Sequence, residues 1–173
     1  MPFTRIPSGR LRRLAAPVLV AYLPAWLPFL LVGEPNEMVR LQFAGSEAQA
    51  QQILAGWSHA ETVDMALLLG IDHVHLVAYG VLLALAAVWA GRQFRGSAAR
   101  WAPVVAWMAL AAAVFDIGEN IGMIVMIRGQ IDAPVPTTTT AFSLAKYSVA
   151  VVVVSYVVAG FVARLAVRRA RQG

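Results

Sequence analysis

The chain has 173 residues, of which 60% are hydrophobic and only 13% charged, with a mean hydropathy of +0.68. Soluble domains carry roughly 25% charged residues, so this composition describes an integral membrane protein of a single domain, residues 1–173. There is no cysteine, which excludes disulfides, thiolate metal sites and cysteine nucleophiles, and the net charge of +5 matters through where it lies.

Met1–Arg13 is a short polar segment with Arg5, Arg10, Arg12 and Arg13. An apolar run of about 19 residues, 14–32, follows, enough to cross a hydrocarbon core of about 30 Å at about 1.5 Å per residue. Pro17, Pro24 and Pro28 fall inside it and predict a kinked helix whose freed carbonyls find other partners. A basic start also fits a secretory signal, but the run is long for one and no small-residue cleavage site follows, so an anchor is expected.

Residues 33–59 form the outer loop. Ser46 followed by Gln49 fits a capping box, which predicts a short helix over Ala48–Trp57 with Ile53, Leu54 and Trp57 on its apolar side. Such a helix fits the interface, over the mouth of the bundle, and an ordinary loop with one helical turn fits the stretch nearly as well.

The second span covers about 60–90 and carries Glu61, Asp64, Asp72, His75 and Tyr79 within about 80° of arc on a regular helix, with His73 off that stripe. A polar stripe of this length does not face lipid. After a basic loop with Arg92, Arg95 and Arg100, the third span covers about 101–127. Asp116, Glu119 and Asn120 stand in it at i, i+3 and i+4, within about 100° of arc. A carboxylate at the membrane centre costs roughly 2.5–3.5 kcal/mol on insertion scales, so this face requires partners on other helices. Gly118 and Gly122 lie on another side and fit the close approach of a further helix, inside the bundle or in a homodimer.

The fourth span covers about 138–167. Its valine-rich run would fit a strand in a soluble protein, but at this length a spanning helix is expected, interrupted by Ser143, Lys146, Tyr147 and Ser155. Arg164, Arg168, Arg169 and Arg171 close the chain. The fold class is therefore all-α, an integral membrane four-helix bundle with a short extracytoplasmic interfacial helix.

Eleven of the 14 Lys and Arg lie in the first tail, the second loop and the last tail. The positive-inside rule places those segments and both termini in the cytoplasm, across four spans, which in a bacterium means the inner membrane. The same topology explains the arginines without nucleic acid, for which no other signal exists, and they suit anionic membrane lipids. Trp26, Trp57, Trp89 and Trp101 fall near interfaces, whereas Trp107 is deeper and is expected to pack.

Orientation also sets depth. Asp72 lies roughly 15–18 Å below the outer end of its span, and Asp116, Glu119 and Asn120 about 7–11 residues below theirs. Lys146 lies about 8 residues below the outer start of the last span, so all five reach similar heights in the outer half of the bilayer.

Asp72 with Tyr79-Gly80, then Asp116-x-x-Glu119-Asn120, then Lys146 resembles a pattern in small uncharacterised bacterial four-span membrane proteins. The resemblance covers spans two to four and implies no established activity. The chain departs from it at His73 and His75, where the pattern usually has aromatic or apolar residues, which weakens any histidine-based chemistry.

Four functions fit the cluster Asp72, His75, Tyr79, Asp116, Glu119, Asn120, Ser143 and Lys146. It is a structural network in which Lys146 neutralises an acid and Tyr79, Asn120 and Ser143 satisfy the rest. Or its surplus acids bind or pass a cation, a proton or a small ligand. Or Asp72-x-x-His75 and Asp116-x-x-Glu119 supply two i, i+3 ligand pairs for a divalent metal, the one cofactor the sequence supports. Or paired carboxyl groups perform acid–base chemistry on a lipid or isoprenoid, with Ser143 and Lys146 as a candidate dyad.

Overall fold

The computed structural model describes residues 7–25 and 35–170, and within them it is helical, with no strand. The helices are α1 (Ser8–Ala25), α2 (Pro35–Gln42), α3 (Glu47–Ala55), α4 (His59–Gly91), α5 (Ser97–Arg100), α6 (Ala102–Ile127) and α7 (Val135–Arg169). Among the described residues α4, α6 and α7 are long and apolar enough to cross a membrane. The expected first span, 14–32, is described as far as Ala25 within α1; Trp26 and Pro28 lie outside the described residues.

Local chemistry sets the helix ends. Ser58 and Glu61 form a capping box at the start of α4: the Ser58 hydroxyl accepts from the Glu61 amide at 3.2 Å, and the Glu61 carboxylate accepts from the Ser58 amide at 2.6 Å. Glu61 thus belongs to the helix end, and Asp64 beside it is exposed. At α3 the Ser46 hydroxyl accepts from the Gln49 amide at 3.3 Å, the cap expected there. Proline falls in the first turn of α6 and of α7, where a missing N–H costs nothing.

α2 corrects the expected polar loop. Pro35 stands at its first position, Glu37 in its first turn and Arg40 in its last, which suits the helix dipole. The Trp57 indole donates to one Glu37 oxygen at 3.0 Å, and Arg40 donates to the other at 2.6 Å. The indole bond first and the arginine second hold the Glu37 carboxyl below its usual range.

α6 packs most extensively, against α7 and against α4, and α1 lies along α4. The interfaces are built from small residues. Gly80 meets Ala113, Gly91 meets Ala102 and Gly160 meets Ala90, so the helix axes come close without large side chains between them. Ala84, Ala87, Ala106 and Ala109 with Leu85, Val88, Val105 and Val153 form the core at the end nearer the termini, and Leu11 of α1 joins it. At the other end α2 and α3 cover Leu69, Met123 and Met126 with Leu41, Ala44 and Ala50.

α7 leaves Val151, Val154, Val158, Phe161, Val162 and Leu165 exposed along its length, a surface that suits lipid. Trp107 is 53% exposed, whereas the sequence leads one to expect it packed inside.

Candidate functional site

α4, α6 and α7 each carry charged or polar residues to one level. Asp72, His75 and Tyr79 come from α4, Asp116, Glu119 and Asn120 from α6, and Lys146 from α7. All seven line one cavity of about 600 Å³. Ser143, the eighth expected member, is buried on α7 outside the cavity wall, its hydroxyl 3.1 Å from the Thr139 carbonyl oxygen.

Lys146 is the centre of the network. Its ammonium lies 2.9 Å from Asp116 Oδ1 and 2.8 Å from the Glu119 carboxylate. The second Asp116 oxygen accepts from the Tyr79 hydroxyl at 2.6 Å. One cation thus binds two acids on adjacent turns of α6, which is why their i, i+3 spacing matters. The Lys146 ammonium also stands 4.8 Å from the centre of the Tyr147 ring, within reach of its electron-rich face.

Asp72 is held differently. It accepts from the Asn120 amide at 2.7 Å and forms no ion pair among the described residues. Because the Asn120 nitrogen faces this carboxylate, its oxygen is turned the other way. That oxygen is buried and meets no donor. A buried acceptor without a donor costs about 1–3 kcal/mol, and this one sits in a residue of the cavity wall.

His75 is buried, its ring stacked on Tyr22 of α1 with centroids 4.6 Å apart. His73 lies off the site, its Nδ1 2.7 Å from the Leu69 carbonyl oxygen, and His59 is exposed at the start of α4.

This geometry bears on two expectations. Among the described residues no three His, Asp or Glu side chains are arranged to hold a metal ion. Asp72, His75, Asp116 and Glu119 are thus not brought together as a metal-binding group: the Lys146 nitrogen lies against Asp116 and Glu119, and the His75 ring stacks on Tyr22. Nor do Ser143 and Lys146 form a dyad. The Ser143 hydroxyl is directed at the Thr139 and Gln42 carbonyl oxygens, and the Lys146 nitrogen at Asp116 and Glu119.

Gly118 and Gly122 are used inside the chain. An added Cβ on Gly118 would lie 2.9 Å from the Phe142 ring, and one on Gly122 would run into Thr139, so α7 already occupies the side that a homodimer through these glycines would need.

The cavity also has walls that sequence spacing did not single out. Met38, Val39 and Gln42 of α2 close it at the end nearer α3, while Leu82 and Leu83 of α4 with Ala150 of α7 line it deeper. The buried Gln42 amide donates to the Tyr147 hydroxyl at 3.0 Å, and the Phe43 and Tyr147 rings stack at 5.9 Å. Threonines anchor this cover. Thr140 donates to the Gln42 carbonyl and accepts from the Gly45 amide, both at 3.0 Å, and Thr137 donates to the Gly45 carbonyl at 3.1 Å. The signal for α2 was its proline start and dipole-matched charges, whereas nothing local marks Tyr22 or Gln42.

Fold and site together define an all-helical protein with membrane-length apolar helices and a polar cluster buried among them. No protein-family model, curated protein or solved structure matches the chain.

Proposed function

We propose that this is a multi-pass membrane protein, of the bacterial inner membrane and with both termini cytoplasmic, whose cavity binds a cation or a small cationic ligand. The arginine distribution supports the orientation, and the apolar sequence 14–32 supports a first span before the three long apolar helices. Reporter fusions at the C-terminus and at Asn36 are expected to report opposite compartments. The same compartment for both overturns the four-span topology.

One observation carries the binding function: in the wall of a cavity of about 600 Å³, Asp72 is held by an amide and by no cation. Three carboxyl groups face one ammonium there, and Lys146 is already shared between Asp116 and Glu119. The third acid has a hydrogen bond to Asn120 but no charge partner among the described residues. A cation at Asp72 would balance the charge, and the water-poor walls would strengthen its hold.

Thermal unfolding of the purified protein against sodium, potassium, magnesium and alkylammonium ions tests this. At least one cation is expected to raise the midpoint by a saturable amount, as a ligand of the native state does. Asp72→Asn is expected to abolish that rise while the Lys146 bridge survives. No saturable stabilisation, or an undiminished one in Asp72→Asn, overturns the proposal.

A further inference from the structure

The kind of cation follows from the rest of the cavity, and this step rests on the binding function above. The chemistry of the wall changes along its length. Asp72 and Asn120 supply acceptors at one level, and Leu82, Leu83 and Ala150 supply only apolar surface deeper down. Along α4 the step from Asp72 to Leu83 is about 16 Å. A bare metal ion would use the first part of this volume and leave the second empty.

Asn120 narrows the head group. It is 1% exposed, its nitrogen is committed to Asp72, and its oxygen meets no donor. Rotating the amide by half a turn would set that oxygen against the Asp72 carboxylate, so the acceptor cannot be relieved from within the pair. A ligand that carries a positive charge and also donates a hydrogen bond answers both groups together. A quaternary ammonium brings the charge without the donor.

The cavity is bounded by Tyr22 on α1 and by Tyr147 and Ala150 on α7, and among the described residues these two helices do not pack against each other as each packs on α4. Tyr147 lines the cavity and is still 45% exposed, on the helix whose outer surface is a run of valines suited to lipid. At the α2 end, by contrast, Gln42 is buried and bonded to Tyr147.

We propose that the cavity takes an amphipathic ammonium, a protonated primary or secondary amine on an apolar chain, that enters from the bilayer between α1 and α7 and sets its N–H donors against Asp72 and Asn120.

The test uses the full chain in lipid nanodiscs and four probes: dodecylammonium, dodecyltrimethylammonium, butylammonium and sodium. Binding is read by calorimetry and thermal shift, with empty nanodiscs subtracted for partition into lipid. Dodecylammonium is expected to bind at least roughly tenfold more tightly than dodecyltrimethylammonium, the worth of one charge-assisted hydrogen bond, and Asp72→Asn to remove that preference. Leu83→Trp, which fills the apolar end without touching the charged level, is expected to weaken dodecylammonium about tenfold and leave butylammonium unchanged; it also decides the matter if Asp72→Asn does not fold. Equal binding of the trimethyl probe, or an unchanged dodecylammonium affinity in Leu83→Trp, overturns the inference. Sodium binding that depends on Asp72, without dodecylammonium binding, overturns the inference and leaves the cation site standing. If no probe binds in an Asp72-dependent way, both fall.

Discussion

Lys146→Met is expected to be the most damaging conservative change in the protein, at about 3–5 kcal/mol of stability, the usual cost of removing one member of a buried ion pair. The side chain of Lys146 is 12% exposed, those of Asp116 and Glu119 7% and 2%, and the methionine replaces the stem while removing the only positive charge between them. Two carboxyl groups then face each other across adjacent turns of α6 with no counter-charge. Asp116→Asn or Glu119→Gln in the same chain is expected to recover part of the loss, and both together most of it. Double-mutant cycles on unfolding midpoints in detergent give the coupling of each acid to Lys146. Asp72→Asn is expected to couple to Lys146→Met more weakly than either bridge acid does, because Asp72 is bonded to Asn120 and to neither partner of the bridge. A Lys146→Met protein as stable as the parent would show that the ammonium leaves the cluster for the interface.

This bridge shows what could be read before any coordinates. Helical periodicity puts Asp116, Glu119 and Asn120 on one face, and arginine placement orients the spans, so depth alone brings Asp72 and Lys146 to the same level. Choosing among the acids was beyond it. Depth does not say how far each helix turns about its own axis, and Lys146 meets Asp116 and Glu119, while Asn120 takes Asp72. The same limit applies to the metal expectation, since among the described residues no metal-binding group is formed. Two i, i+3 pairs define two faces, but four ligands also need those faces to converge on one point, and Lys146 occupies the space between two of the candidates.

The cover over the cavity was legible only in half. Ser46 and Gln49 announce α3, but α2 has only eight residues, polar on average, too short a stretch for the helical spacing of Met38, Val39 and Leu41 to stand out. Its role rests on the bond from Gln42 to Tyr147, 105 residues away in sequence. Glu61 and Asp64 share the phase of the polar stripe on the helix. Phase alone cannot distinguish a residue inside a bundle from one at its rim, and the capping box with Ser58 was the better guide to Glu61.

Substitution at the glycines is expected to divide them by what each one touches. An alanine at Gly160 would set its Cβ 2.8 Å from the Ala90 Cα and 3.2 Å from the Ala90 carbonyl oxygen. Both are backbone atoms inside α4, so relief requires the whole of α7 to move away, and Gly160→Ala is expected to cost about 1–3 kcal/mol, with Gly160→Val above that. At Gly118 the obstacle at 2.9 Å is the edge of the Phe142 ring, which can swing. There the gain from replacing glycine within a helix, about 0.5–1 kcal/mol, offsets most of the crowding. Gly70 in α4 meets nothing within 4 Å, so Gly70→Ala is expected to be neutral or stabilising by about that same amount. The order Gly70, Gly118, Gly160, measured as unfolding midpoints of three single variants, reports where α7 presses on its neighbours. If Gly160→Ala were as mild as Gly70→Ala, the contact between α7 and α4 at Ala90 would be wrong. The small-residue interface that leaves α7 free to carry Lys146 into the cluster would then need another explanation.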